Sequence, residues 1–175
     1  MNRGTTPPVQ LIQRRAGAYL VDIILLFVVL ASLGLLVQNL LGTQAETGPQ
    51  VWWVILFNFS IPVWAYFALS DASAGGATIG KRLFRLRVTA ASGGSPGLGR
   101  ALLRTAVKLI PWELVHLFAF AFSPDLSQFT LMQGLGIGLA NLLWMVYLIA
   151  LLPNGGRRSL HDMAANTQVV AKATS

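Results

Sequence analysis

Four long apolar stretches constrain this chain more than any other feature. A helix needs about 20 mostly apolar residues to cross the hydrocarbon core of a bilayer. Residues 16–41, 51–69, 105–122 and 129–152 approach or meet that length. The first has Asp22 as its one charge, and the second and fourth have none. The third is the least apolar, because it contains Lys108, Glu113 and His116. Backbone that crosses lipid must satisfy its own polar groups, so each stretch is expected to be helical. The first stretch is longer than the roughly 7–15 apolar residues of a signal-peptide core, and no A-x-A site follows it, so it reads as a signal anchor. Only 11% of the 175 residues are charged, against about 25% in soluble domains. Little of the surface is therefore built for water. The expected fold class is an all-α membrane protein, a four-helix transmembrane bundle with a cytoplasmic interfacial segment.

The charges orient the spans. Thirteen Lys and Arg give a net charge of +7. They lie at Arg3, Arg14 and Arg15, then at Lys81, Arg82, Arg85, Arg87, Arg100, Arg104 and Lys108, and finally at Arg157, Arg158 and Lys172. The connections at 42–50 and 123–128 hold none, only Glu46 and Asp125. The positive-inside rule then places both termini and the loop 71–104 in the cytoplasm, in a cell (inner) membrane crossed four times. Basic flanks beside apolar spans point to anionic lipid headgroups as partners, not to nucleic acid. Trp52 and Trp53 stand at the outer end of the second span, where an aromatic belt is expected. Gly134 and Gly138 form a G-x-x-x-G that suits close helix packing inside the bundle. Pro62 and Pro111 interrupt two spans and need neighbours to satisfy the carbonyls they free. The organisation read from these features is a flexible cytoplasmic N-terminus at 1–14, a membrane domain at 15–170 and a tail at 171–175.

The cytoplasmic segments carry further structure. Residues 83–88 partly alternate as a short strand would, and residues 92–96 have turn chemistry. Arg100, Arg104 and Lys108 follow at i, i+4 and i+8, a stripe expected to face phosphate headgroups while Leu102, Leu103 and Val107 enter the acyl boundary. A short helix is expected near 159–165, and residues 167–170 are expected to pair with 84–89 as a short β pair. Several apparent motifs fail. Gly75 to Lys81 has P-loop spacing, but Arg82 stands where a magnesium-binding Ser or Thr belongs, and no strand pattern precedes it. His161 and Asp162 are adjacent, so they do not share a helix face as a catalytic dyad would. The chain has two His and no Cys, which argues against a zinc site. No enzyme chemistry, metal or cofactor is expected.

The charges inside the spans are the functional candidates. Asp22 costs a few kcal/mol or more unless it is paired, protonated or facing water. Arg15 lies seven residues earlier on α-helical spacing, too far for a simple contact, so each is expected to find a partner on another helix. Glu113 and His116 stand at i and i+3 on one face. His116 titrates near neutral pH in water, as proton relays require. Structural pairing within the bundle is the competing reading for all of them.

Three sequence patterns then resemble the RDD family of membrane proteins. Residues 15–22, RAGAYLVD, are similar to its opening R-x-x-A-x-x-x-D. Residues 76–83, GATIGKRL, followed by Leu86, Arg87 and Val88, are similar to its central G-x-T-x-G-K…L-x-V stretch. This second pattern marks Gly76, Gly80 and Lys81, and Arg104 falls where the family has an Arg before the next span. Residues 158–170, RSLHDMAANTQVV, resemble the closing R-x-L-H-D…T-x-V-V and mark Arg158, His161 and Thr167. The resemblance implies that Arg15, Asp22 and Asp162 are the name-giving residues. It implies fewer spans than four, so the fourth here is a departure. It also implies either transport, including sodium–proton antiport in some members, or scaffolding of membrane complexes in others. Two functions are therefore expected to compete. One is a small oligomeric transporter in which Asp22 alternates between proton and cation while Arg15 and Asp162 form a cytoplasmic gate. The other is a non-transporting scaffold or accessory subunit that works with a second copy or a partner membrane protein.

Overall fold

Apolar sequence and capping chemistry set the helix ends. The computed structural model describes residues 7–42, 44–123, 125 and 127–172. Arg3, and the outermost parts of the expected terminal segments, lie outside the described residues. The first helix, α1, spans Pro8–Leu41. Proline suits its first position because the N–H it lacks would have no helical partner. Gly42 closes the helix with φ +63°, the left-handed geometry that glycine adopts without cost. The helix thus begins eight residues before the expected first span and takes in residues 8–14. The second apolar stretch forms α2 (Gly48–Ile55), a π-helical turn (Leu56–Ser60) and α3 (Ile61–Ala72). Next come α4 (Ile79–Leu83), β1 (Leu86–Ala90), and α5 (Gly97–His116) with its π-helical continuation Leu117–Ala121. The chain ends in α6 (Leu131–Ile149), α7 (Leu160–Ala164) and β2 (Thr167–Ala171).

Three helical stretches are long and apolar enough to cross a membrane: Pro8–Leu41, Gly48–Ala72 and Leu131–Ile149. The residues from Gly97 to Ala121 are helical but carry too many charges to join them on that basis, so three spans, not four, follow from length and apolarity. Side chains such as Leu20, Phe27, Leu35, Leu135 and Leu142 are more than half exposed. An apolar surface this large belongs in lipid, not water.

The chain forms two compact units. One comprises residues 1–24, 66–108 and 146–175, and the other residues 25–65 and 109–145. In the first unit, β1 and β2 pair antiparallel with Leu86 opposite Ala171 and Ala90 opposite Thr167. Leu86, Val88 and Val169 point from this ribbon onto Leu11 and Ala18 of α1 to form its apolar core. The strand starts at Leu86 because the chain first reverses at Arg85, whose φ is +53°.

In the second unit, Gln133 ties α6 down in two directions. Its Oε1 accepts the Thr130 N–H at 2.6 Å, and its Nε2 donates to the Ala119 carbonyl at 2.9 Å in the π-helical turn. The packing glycine of α6 is Gly136: a Cβ there would overlap the Phe118 ring. The sequence pointed instead to Gly134 and Gly138. Gly138 has open space around its missing Cβ, and Gly134 meets only the Phe129 ring. The spacing of small residues was legible, but the face they occupy was not.

Candidate functional site

The charges of the first unit collect in its interior. Asp71, the next-to-last residue of α3, is fully buried. It accepts from Lys81 Nζ of α4 at 2.5 Å and pairs with Arg104 of α5. Arg104 also donates from Nε to Asp162 Oδ1 of α7 at 2.9 Å. The other oxygen of Asp162 takes Arg15 of α1 at 2.7 Å and the Ser159 backbone N–H at 3.0 Å. The Ser159 bond makes Asp162 the third-residue partner in a capping box, the local reason α7 starts where it does. Arg15 further donates to the carbonyls of Gly156 and Arg157. A continuous line, Lys81–Asp71–Arg104–Asp162–Arg15, therefore ties α4, α3, α5, α7 and α1 together. Thr167 Oγ1 lies 3.4 Å from Asp162 Oδ1 and joins β2 to the same line.

This arrangement corrects the expected headgroup stripe on α5. Arg104 and Lys108 are buried, while Leu98, Leu102 and Leu103 of the same helix are exposed. The i, i+4, i+8 spacing gives a face correctly, but two buried carboxylates draw Arg104 inward. Lys108 Nζ lies 2.9 Å from the centroid of the Phe67 ring and 5.5 Å from that of Tyr19, a cation–π placement.

Asp22 belongs to a separate group. Its Oδ1 accepts the Tyr66 hydroxyl at 2.6 Å and the Gly80 N–H at 2.7 Å, and its Oδ2 accepts the Thr78 hydroxyl at 2.6 Å. Thr78 caps α4, and the Tyr66 oxygen in turn accepts the Ile79 N–H at 3.0 Å. Gly80 is needed here because a Cβ would fall against the Ala18 carbonyl and within 2.9 Å of the Asp22 carboxylate. Gly76 anchors the same loop through its carbonyl, which accepts the Val88 N–H at 2.7 Å.

Electrostatics fix the charge states outside the spans. Burial pushes the Asp162 carboxyl up, but Arg104 and Arg15 outweigh it and hold it well below the usual carboxylate range. Burial also lowers Arg104, yet Asp162 and Asp71 raise it overall, so it stays charged. His161 is pulled down to about 4, mainly by burial. Its Nε2 lies 3.3 Å from Asp162 Oδ2, and its Nδ1 is buried without a partner among the described residues. Burial lowers Lys81 against the opposing pull of Asp71.

The other sequence candidates lie elsewhere. In the second unit, Glu113 accepts the Ser60 hydroxyl and the Trp64 indole N–H, each at 3.0 Å. His116 packs on the Trp112 ring, and its Nδ1 has no partner among the described residues. Arg158 reaches Asn166 Oδ1 at 3.4 Å and takes no part in the buried line. Among the described residues, no three His, Asp or Glu side chains converge as metal ligands. The sequence reading missed Asp71, Tyr66 and Thr78. The available signal for Asp71 was that it is the one acidic residue in the strongly basic stretch 71–104.

A model of the RDD family matches residues 9–166, most of the chain. The chain belongs to the RDD family. No curated protein and no solved structure matches it. In this RDD protein, Arg15 and Asp162 meet in the buried ionic line, whereas Asp22 holds the α4 loop through neutral donors.

Proposed function

We propose that this RDD-family membrane protein is a non-enzymatic, non-transporting scaffold or accessory subunit for a second copy or another membrane protein. In this reading, residues 105–122 supply a fourth crossing. Both termini and the basic loop then lie on the cytoplasmic side of a cell (inner) membrane, which gathers all Lys and Arg on one face. One observation carries the choice of scaffold. Asp22 is 1% exposed, and three neutral donors occupy both its oxygens, with the Gly80 backbone closed against it. A carrier carboxylate must release its ligands and meet proton and cation in turn. Here the same three donors tie Asp22 to the start of α4.

Glu113 supports a second reading, small-ion transport by proton exchange. Among the described residues it accepts only from the neutral donors Ser60 and Trp64, and His116 lies three residues further along the same chain. The experiment is proton movement driven by sodium or potassium gradients in vesicles holding the intact protein, Asp22→Asn or Glu113→Gln. The scaffold reading expects no flux above empty vesicles in any of the three. Flux in the intact protein that a folded Asp22→Asn loses would restore the antiport reading. Flux lost only in Glu113→Gln would favour the second.

A further inference from the structure

The buried line absorbs Lys81 and Arg104 but leaves a set of cations outside it. Arg82, Arg85 and Arg87 are exposed. Arg82 uses its Nε on the Ala77 carbonyl, and the side chains of Arg85 and Arg87 have no partner among the described residues. Lys172, also exposed, is brought beside them by its N–H donating to the Arg85 carbonyl at 2.8 Å. Arg87 stands opposite Val170 in the β ribbon and points away from the core, because Leu86 and Val88 point into it.

The second observation is apolar. Ile79 and Leu83 lie at i and i+4 on α4 and are 52% and 68% exposed. This helix is pinned along α1, the most apolar of the membrane helices. Gly80 meets Ala18 and Asp22, the Phe84 ring packs on Gly17, and the Phe84 carbonyl accepts Arg14 Nε at 3.0 Å. The contact runs along about 12 Å of α1, from its basic end toward its apolar stretch. Two bare aliphatic side chains at that height, with exposed Arg82 between them and exposed Arg85 and Arg87 after them in sequence, match the profile of an interfacial segment.

We infer that α4 and the start of β1 form a docking strip for anionic phospholipid headgroups of the bilayer that the chain spans. Ile79 and Leu83 enter the acyl boundary, and Arg82, Arg85 and Arg87 take phosphate oxygens, with Arg able to bind two oxygens at once. This inference rests on the membrane reading, not on the choice between scaffold and transport. The headgroup contact therefore moves from α5, where the sequence suggested it, to α4.

The test uses the full chain in phosphatidylcholine vesicles containing traces of spin-labelled phosphatidylglycerol or spin-labelled phosphatidylcholine. The immobilised fraction of each label gives the relative affinity. The intact protein is expected to prefer phosphatidylglycerol by about fivefold, the effect of roughly one well-placed cation. Arg82→Gln/Arg85→Gln/Arg87→Gln should bring the ratio close to one, and Arg100→Gln should leave it unchanged. Because the chain has no Cys, a fluorophore on a Leu83→Cys variant reports insertion separately, and acyl-chain nitroxides should quench it. Equal affinity for both lipids in the intact protein, or a preference that survives the triple substitution, would overturn the inference. So would equal loss in Arg100→Gln, an unquenched label, or release of the lipid by inorganic phosphate but not by chloride of equal ionic strength.

Discussion

His161 is the residue where charge and burial oppose each other most clearly. It sits between Asp162 and Arg15, yet burial draws its pKa down to about 4, below the roughly 6.5 of an unfolded chain. Between those two values the unfolded state binds more protons than the folded one, so stability falls as pH falls. The contribution is complete above about pH 6.5 and is lost as pH drops toward 4. Asp162 does not share this window. Its folded pKa is depressed, so its contribution is present above the ordinary carboxylate value and is lost only at more acid pH. Thermal unfolding in detergent should therefore show a midpoint that drops from pH 7 to about pH 4.5 in the intact protein, and a flatter profile in His161→Gln. Parallel profiles would mean that His161 is not the group that titrates.

At the scale of elements, Pro111 shows how an interrupted helix is repaired. Proline in α5 removes the N–H that would bond the Val107 carbonyl four residues earlier. The Tyr147 hydroxyl of α6 donates to that carbonyl at 2.5 Å. Tyr147→Phe should cost about 1–3 kcal/mol, the price of a buried acceptor left bare. The same substitution should cost almost nothing in a Pro111→Ala background, where an N–H returns to the carbonyl. Unfolding free energies from the four proteins of this cycle give the coupling directly. Equal costs in both backgrounds would contradict the repair.

Elements also show what the sequence could reveal. The apolar stretches were legible because lipid demands length and apolarity, which need no knowledge of neighbours. The pairing of residues 167–170 with the strand after α4 was legible from alternation, displaced by the reversal at Arg85. The inward turn of Arg104 was not legible, because its partners Asp71 and Asp162 lie 33 and 58 residues away in sequence. Asp71 itself escaped notice for the same reason. Its role depends on Lys81, ten residues on, and Arg104, 33 residues on, and no helix or strand period marks that pairing.

For the whole molecule, the central claim is that the ionic line is a lock. It joins five helices of the first unit through side chains that are almost wholly buried. Removing one partner of such a pair leaves an uncompensated charge and costs about 3–5 kcal/mol. Asp162 is the natural place to break it, because it takes Arg15, Arg104 and the α7 cap together. The most direct measurement is amide hydrogen exchange of Asp162→Asn against the intact protein in the same membrane mimetic. The account predicts that α4, β1, α7 and β2 lose protection together, while α2 and most of α6, which belong to the second unit, keep theirs. Unchanged protection in those four elements, with the variant folded, would contradict it.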